Sequence, residues 1–379
     1  MSAPSVPSAA SAALPALPDP AEGLALIKGA VQALPAYTLS APVAPRKLNQ
    51  NESPFDFPDE LKREVLERAA RMPWNRYPAF FPAELAARLA THYGWRPDGL
   101  LVGNGSNELI QASLSVALAG GDVVVAPAPT FSLYRLITGV LGGRYVPVPF
   151  DRDFQYDVDR LIDVARREEA KVIVLNSPNN PTGSALPDDA VEQVLEDTDA
   201  LVLCDEAYQE FGGPTAVPLL ERSSRVVVLR TFSKAMGLAG LRFGVALAHP
   251  AVAREIAKAK LPYNVNLVTL AAAGVALDHA ATLAERVARV RATRDRTHAQ
   301  LSALPGLKVY PSAANFLLVR FLARPAREVF RRLIDDCGIL IRDVSGAAEL
   351  HECLRISVGT EEDMDAVIQA LGEILGGER

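Results

Sequence analysis

The residues best suited to chemistry lie in four short clusters. Thr231-Phe-Ser-Lys234-Ala-Met-Gly-Leu-Ala-Gly-Leu-Arg242 puts a lysine amine, two hydroxyls and an arginine into one stretch. Such an amine attacks carbonyl carbons and carries protons, and hydroxyls beside a guanidinium suit an anion. Asp205-Glu-Ala-Tyr208 adds carboxylates and a phenol, and Asn179-Asn-Pro-Thr-Gly183 adds amides in turn-forming company. Gly103-Asn-Gly-Ser-Asn-Glu108 opens a helix whose amides at Gly105, Ser106 and Asn107 can hold a phosphate. Lacking a third glycine, it is not a dinucleotide fingerprint. Each cluster alone has a plain reading as a capped strand end, a turn or a solvated lysine. Their joint occurrence, each after a strand, favours a single site. The five histidines are scattered and the three cysteines have no metal-like spacing, so no metal site is expected.

The elements that must position these clusters alternate from about residue 50 to 280. Apolar strands are read at Leu100–Val102, Asp122–Ala126, Lys171–Leu175, Ala200–Cys204 and Arg225–Leu229. A helix over Asp59–Arg71 places Leu61, Val65, Leu66 and Ala69 on one face. Continuous apolar strands between helices predict a mostly parallel sheet covered on both faces. Ligands of such sheets bind beyond the carboxyl ends of the strands, where the polar clusters fall. After about 280 the rhythm changes: a long charged helix (about Thr282–Leu304), strands at Asn315–Arg320, Ile339–Arg342 and Cys353–Val358, and helices at Pro325–Cys337 and from Glu361. The expected organisation is an α/β chain with a tail over 1–22, a segment over 23–50 joining the smaller domain, a large domain over 51–280 and a small α+β domain over 281–379.

The chain has 379 residues, a net charge of −6, 49% hydrophobic and 22% charged residues, as an ordinary globular protein has. Nothing in that balance calls for nucleic acid or a membrane surface. The Ala/Ser/Pro-rich start has no Lys or Arg before Lys28 and reads as a flexible tail rather than a signal peptide. The longest apolar run, Leu267–Leu277, falls short of the ~20 residues that span a bilayer and reads as a buried helix. Three cysteines without a framework point to a reducing compartment, the cytoplasm.

Taken together, the clusters resemble the class I/II, fold-type I aminotransferases that depend on pyridoxal 5′-phosphate (PLP), over nearly the whole chain from Gly23. The stretch around Lys234 is similar to that family's Schiff-base lysine, with the arginine eight residues on. The resemblance implies that Lys234 forms an imine with the cofactor aldehyde and, once displaced, moves protons as the catalytic base. It implies that Thr231, Ser233 and Arg242, with Gly105, Ser106 and Asn107, hold the cofactor phosphate. Asp205 would pair with the pyridine nitrogen, Tyr208 and Asn180 would bond the phenolic oxygen, and Phe131 would stack on the ring.

A finer resemblance is to the histidinol-phosphate aminotransferases of histidine biosynthesis. Leu48-Asn-Gln-Asn-Glu-Ser-Pro54 is similar to their Asn-Glu-x-Pro stretch, though it lacks the second Asn or Tyr common in relatives. Asn75-Arg-Tyr77-Pro resembles an arm whose tyrosine reaches the neighbouring subunit's cofactor phosphate, which implies a homodimer. Tyr37 and Asn51 fall at substrate-contacting positions, and Arg342 and Arg355 match a family pair thirteen residues apart. One anion site must accept both a phosphate and the carboxylates of glutamate, and planar, permanently charged guanidiniums suit that task. Pro262-Tyr-Asn-Val-Asn266 resembles a family segment near the substrate, without an assigned contact. The implied reaction joins L-histidinol phosphate and 2-oxoglutarate with imidazole-acetol phosphate and glutamate. On the same fold the alternatives are an aromatic amino acid aminotransferase and a threonine-phosphate decarboxylase. A PLP-sensing regulator would carry an added helix-turn-helix, and no such helix pair is legible here.

Overall fold

The computed structural model describes residues 17, 19–36 and 42–376. Most of the tail expected over 1–22 lies outside these residues, as does Tyr37; Ala21 and Glu22 begin a short helix, Ala21–Ala25. Residues up to Ala36 cluster as one unit, with a second short helix at Gly29–Gln32, and the rest of the chain forms another. All the described strands belong to that second unit.

Thirteen strands are described: β1 Arg46–Lys47, β2 Leu100–Asn104, β3 Val123–Ala128, β4 Arg144–Pro149, β5 Val172–Asn176, β6 Leu201–Asp205, β7 Val226–Thr231, β8 Phe243–Ala248, β9 Leu307–Val309, β10 Phe316–Phe321, β11 Ile339–Leu340, β12 Arg342–Asp343 and β13 Cys353–Ser357. Seven form a sheet in the order β2-β8-β7-β6-β5-β3-β4. All its pairs are parallel except the two made by β8, which runs opposite to β7 and β2. The mostly parallel sheet expected from the apolar runs is therefore present. Its central strands β5 to β8 are buried along nearly their whole length, as strands covered on both faces must be.

Two members of this sheet escape the sequence reading. Strand β4 carries Pro147 and Pro149, which read as breakers, but as an edge strand it can leave a ladder hydrogen bond unmade. Strand β8 follows Arg242 directly, so no turn residue marks where it starts. The face assigned to the helix Asp59–Ala70 is also corrected. Leu61, Val65 and Ala69 are buried, but Leu66 is 62% exposed. At 100° per residue it lies 140° from Leu61, beyond the apolar stripe.

The helix Leu267–Asp278 is buried from Ala271 to Ala276, as the apolar run predicts. Among the described residues no single helix is long and apolar enough to cross a membrane. The long charged helix is Ala280–Ser302, and beyond it β12-β13-β10-β9 form a four-stranded sheet. The single strand expected at Ile339–Arg342 is instead two. Ile339–Leu340 pairs in parallel with β1, while Arg342–Asp343 pairs antiparallel with β13. That switch sets Arg342 directly across from Arg355 in the register.

Candidate active site

A cavity of about 760 Å³ opens beyond the carboxyl ends of β5, β6 and β7, within the range of small-molecule sites. Parallel pairing explains why residues far apart in sequence meet there. Asn176, Asp205 and Leu229 lie side by side across β5, β6 and β7, with Thr231 two residues further along β7. Beyond Thr231 the chain is anchored by Phe232, which is fully buried against Phe243 at 4.9 Å between ring centroids. Ser233 and Lys234 then face the cavity.

Lys234 Nζ donates to the Gln50 carbonyl at 2.8 Å and lies 5.8 Å from the Tyr208 ring centroid. Burial pushes its pKa down to about 7; the Arg355 charge adds to this, Glu52 opposes it, and Arg242 and Lys47 contribute less. A buried ammonium among guanidiniums is poorly solvated. The amine is therefore substantially neutral near pH 7 and available as a nucleophile or base.

Asp205 is 3% exposed, and burial raises its pKa. Two donors work against that shift: the Tyr134 hydroxyl at 2.6 Å and the Ala207 amide at 3.2 Å. Among the described residues no cation pairs with it. Tyr208 is buried, edge-on to Phe316, and its hydroxyl oxygen accepts from Asn51 Nδ2 at 3.1 Å. Asn51 has a left-handed backbone, φ 55°, which asparagine tolerates. It is fixed by Ser357, whose hydroxyl donates to Asn51 Oδ1 at 2.9 Å and accepts from its amide at 2.8 Å.

At the other end lies an anion cradle. Thr231 Oγ1 donates to Ser233 Oγ at 3.0 Å, and Arg242 Nη1 donates to the same oxygen at 3.1 Å. Ser106 and Asn107 bring the first turn of the helix Ser106–Ala117 to the cavity. Gly105 precedes it at φ 78°, where a Cβ would run into the Arg242 guanidinium; at Gly244 a Cβ would strike the Ser106 amide. Gly105 is thus required by its left-handed backbone and Gly244 by the close approach of the Ser106 backbone. Glu108, whose charge would oppose an anion here, is held by Asn104 N and Asn264 Nδ2, each at 2.6 Å. This gives the Pro262–Asn266 segment a contact that its sequence does not assign.

Arg355 is buried and donates to the Asn180 side-chain oxygen and to the Asn49 carbonyl, the latter at 2.7 Å. Arg342 lines the same cavity. A salt bridge to Asp343 is the plain alternative for Arg342, but Asp343 accepts from the Ser345 amide and hydroxyl. Among the described residues Arg342 has no acidic partner.

Of the residues singled out from sequence, Asn51, Ser106, Asn107, Phe131, Asn180, Asp205, Tyr208, Thr231, Ser233, Lys234, Arg242, Arg342 and Arg355 line this one cavity. Gly105 lies just behind it. Tyr77 does not line it: 81% exposed, it stacks on Tyr263 at 4.6 Å. Sequence reasoning gave no role to Tyr134, Asn49, Gln50 or Arg135. Tyr134 stands in the same stretch as Phe131, whose ring it meets edge-on at 5.7 Å. Gln50 uses its carbonyl, for which residue type carries no signal.

The donor set fits PLP. A near-neutral lysine amine, a buried carboxylate lacking a cation and an anion cradle at a helix start are what its aldehyde, ring nitrogen and phosphate need. Residues 46–371 match the family described as aminotransferase class I and II. The histidinol-phosphate aminotransferase of Chlorobaculum tepidum is 39% identical over 329 residues, 86% of this chain and 94% of that protein. The solved histidinol-phosphate aminotransferase of Sinorhizobium meliloti, in complex with pyridoxal-5′-phosphate, superposes with a TM-score of 0.84 at 28% identity, covering 93% of this chain and 98% of that one. The L-threonine-O-3-phosphate decarboxylase of Porphyromonas gingivalis shares the fold at a TM-score of 0.77 and 23% identity, covering 87% of this chain and 99% of that one. The fold alone therefore does not select the reaction. The family match spans most of the chain and takes in the whole cavity, and on that ground this chain belongs to the class I and II aminotransferases.

Proposed function

We propose that the chain transfers an amino group between L-histidinol phosphate and 2-oxoglutarate, giving imidazole-acetol phosphate and glutamate, as in histidine biosynthesis. The observation that carries this reading is the pairing of Arg342 with Arg355 across β12 and β13, inside the cavity that holds Lys234. Two forked cations suit a phosphate in one half-reaction and carboxylates in the other. Its cofactor is PLP, which when bound supplies an aldehyde for the amine and a protonated ring that accepts electrons from the substrate carbon. Lys234 Nζ would take the proton from the substrate carbon that bears the amine and deliver it to the cofactor's aldehyde carbon. Asp205 keeps the proton on the ring nitrogen, and Tyr208 with Asn180 holds the phenolic oxygen. Thr231, Ser233 and Arg242, with the amides of Gly105, Ser106 and Asn107, would hold the phosphate, and Phe131 would stack on the ring. Arg355 and Arg342 seat the substrate's anionic groups, with Asn51 in the same cavity; Tyr37, outside the described residues, is proposed as a further substrate contact.

The active unit in this reading is a homodimer in which Tyr77 of each copy completes the other's phosphate site. Trp74, Tyr77, Phe80 and Leu261, all more than two-thirds exposed, support it as a surface in need of a partner. Sedimentation is expected to give twice the 40.6 kDa chain mass; full activity from a monomer would count against it. The same reading keeps the domain division at about residue 280 and places the protein in the cytoplasm.

The visible absorbance of the bound cofactor tests the substrate. Without any keto acid, histidinol phosphate and glutamate are each expected to discharge the band, and phenylalanine only weakly. A stronger response to phenylalanine would reassign the chain to aromatic amino acids, and a response to threonine phosphate with release of carbon dioxide would make it a decarboxylase.

A further inference from the structure

Arg135 lies on the helix Leu133–Leu141, one residue after the tyrosine that bonds Asp205, and lines the same cavity. Successive helical side chains diverge by about 100°, so Tyr134 points to the buried carboxylate while Arg135 stays exposed on the cavity wall. It stands close to Tyr145, where its charge partly offsets the upward push that burial gives that phenol. Among the described residues Arg135 makes no hydrogen bond and no ion pair. Arg342 is in the same condition, and it enters the cavity from the four-stranded sheet. Arg355 is already engaged with Asn180 and Asn49 and is near enough to depress Lys234, so it serves an anion next to the reacting carbon. Two uncommitted guanidiniums then remain for a second anion farther out.

We propose that Arg135 is a specificity-determining residue that binds the distal carboxylate of the five-carbon diacid substrate, with Arg342 as its counterpart. This rests on the aminotransferase reading above and names how its diacid partner is chosen. An exposed guanidinium works in high dielectric and is screened by salt. The distal carboxylate keeps its charge throughout the reaction, so the contribution of Arg135 appears in substrate affinity and not in the rate of the bound complex.

The test follows the half-reaction of the PLP-loaded enzyme by cofactor absorbance, with glutamate and with norvaline, which has the same chain length and no distal carboxylate. Arg135→Gln is expected to raise the apparent Kd for glutamate about tenfold with a maximal rate within twofold, since a charged hydrogen bond is worth about that much. The preference for glutamate over norvaline falls by the same factor, and Arg135→Lys restores part of it by keeping the charge without the fork. An unchanged preference overturns the proposal, as does an equal loss on both donors, which would mark a structural defect in the helix. A wild-type enzyme that ignores histidinol phosphate would sink the earlier choice of amino donor, while the glutamate and norvaline pair would still decide Arg135.

Discussion

Replacing Lys234 by alanine is expected to lower transamination by roughly 10³-fold or more, because one side chain supplies both the nucleophile and the proton carrier. The fold should survive. Lys234 is held by one hydrogen bond, to the Gln50 carbonyl, and its charged form is disfavoured by burial and by Arg355. The sign of the stability change follows from that. The folded protein binds this proton less tightly than the unfolded chain, with a pKa of about 7 against an ordinary 10.5. Below about pH 7 the amine is charged in both states, so folding there carries the full cost of a poorly solvated ammonium. That cost fades as pH rises from 7 towards 10.5. The cofactor-free Lys234→Ala protein should therefore melt at or above the wild-type temperature near pH 6, and the difference should shrink by pH 10. Thermal melts at the two pH values check the stability claim. Residual turnover within tenfold of wild type would remove Lys234 from its role.

How much of this was legible beforehand depends on what kind of signal each residue leaves. Asp205, Thr231 and Lys234 could be read because each polar group follows an unbroken apolar strand, and parallel strands deliver their carboxyl ends to one place. Arg342 and Arg355 could be read only as members of a resemblance. That they face one another comes from the break between β11 and β12, where the chain leaves one sheet for another. Local periodicity cannot announce such a change of partner. Tyr134 sits three residues from Phe131, but its bond to Asp205 spans 71 positions and depends on the sheet order. Gln50 contributes a carbonyl common to every residue, and Gly244 matters only because the Ser106 amide crowds it. Leu66 shows the opposite failure, an apolar residue that the helical angle carries out of the stripe. Sequence type thus reveals groups that act through their side chains from strand ends. Groups acting through backbone atoms or through pairing order need the fold.

Asp205→Asn is expected to cost about 10²–10³-fold in the maximal rate, the scale of losing one preorganised group that stabilises developing charge. Asparagine keeps the shape of the side chain and can still accept from Tyr134, but it carries no charge to hold a proton on the ring nitrogen. The environment of Asp205 gives the prediction its force. Burial raises the pKa of this carboxylate, and a hydroxyl and an amide only partly counter that. A buried carboxylate without a cation is costly, and the protonated ring of PLP is the cation that would remove the cost. Binding the cofactor should then stabilise the wild type more than the variant, since part of the gain comes from relieving that charge. The two quantities separate a catalytic role from a packing role. If Asp205 only packs, Asp205→Asn leaves the rate within tenfold and the cofactor-induced rise in melting temperature unchanged. If it holds the ring proton, the rate falls and that rise shrinks, while the cofactor-free protein keeps its fold. Tyr134→Phe supplies the graded case. It removes one donor and leaves the carboxylate, so its effect on the rate should be smaller than that of Asp205→Asn, and an equal effect would mean that the hydrogen bond, and not the charge, is what the site requires.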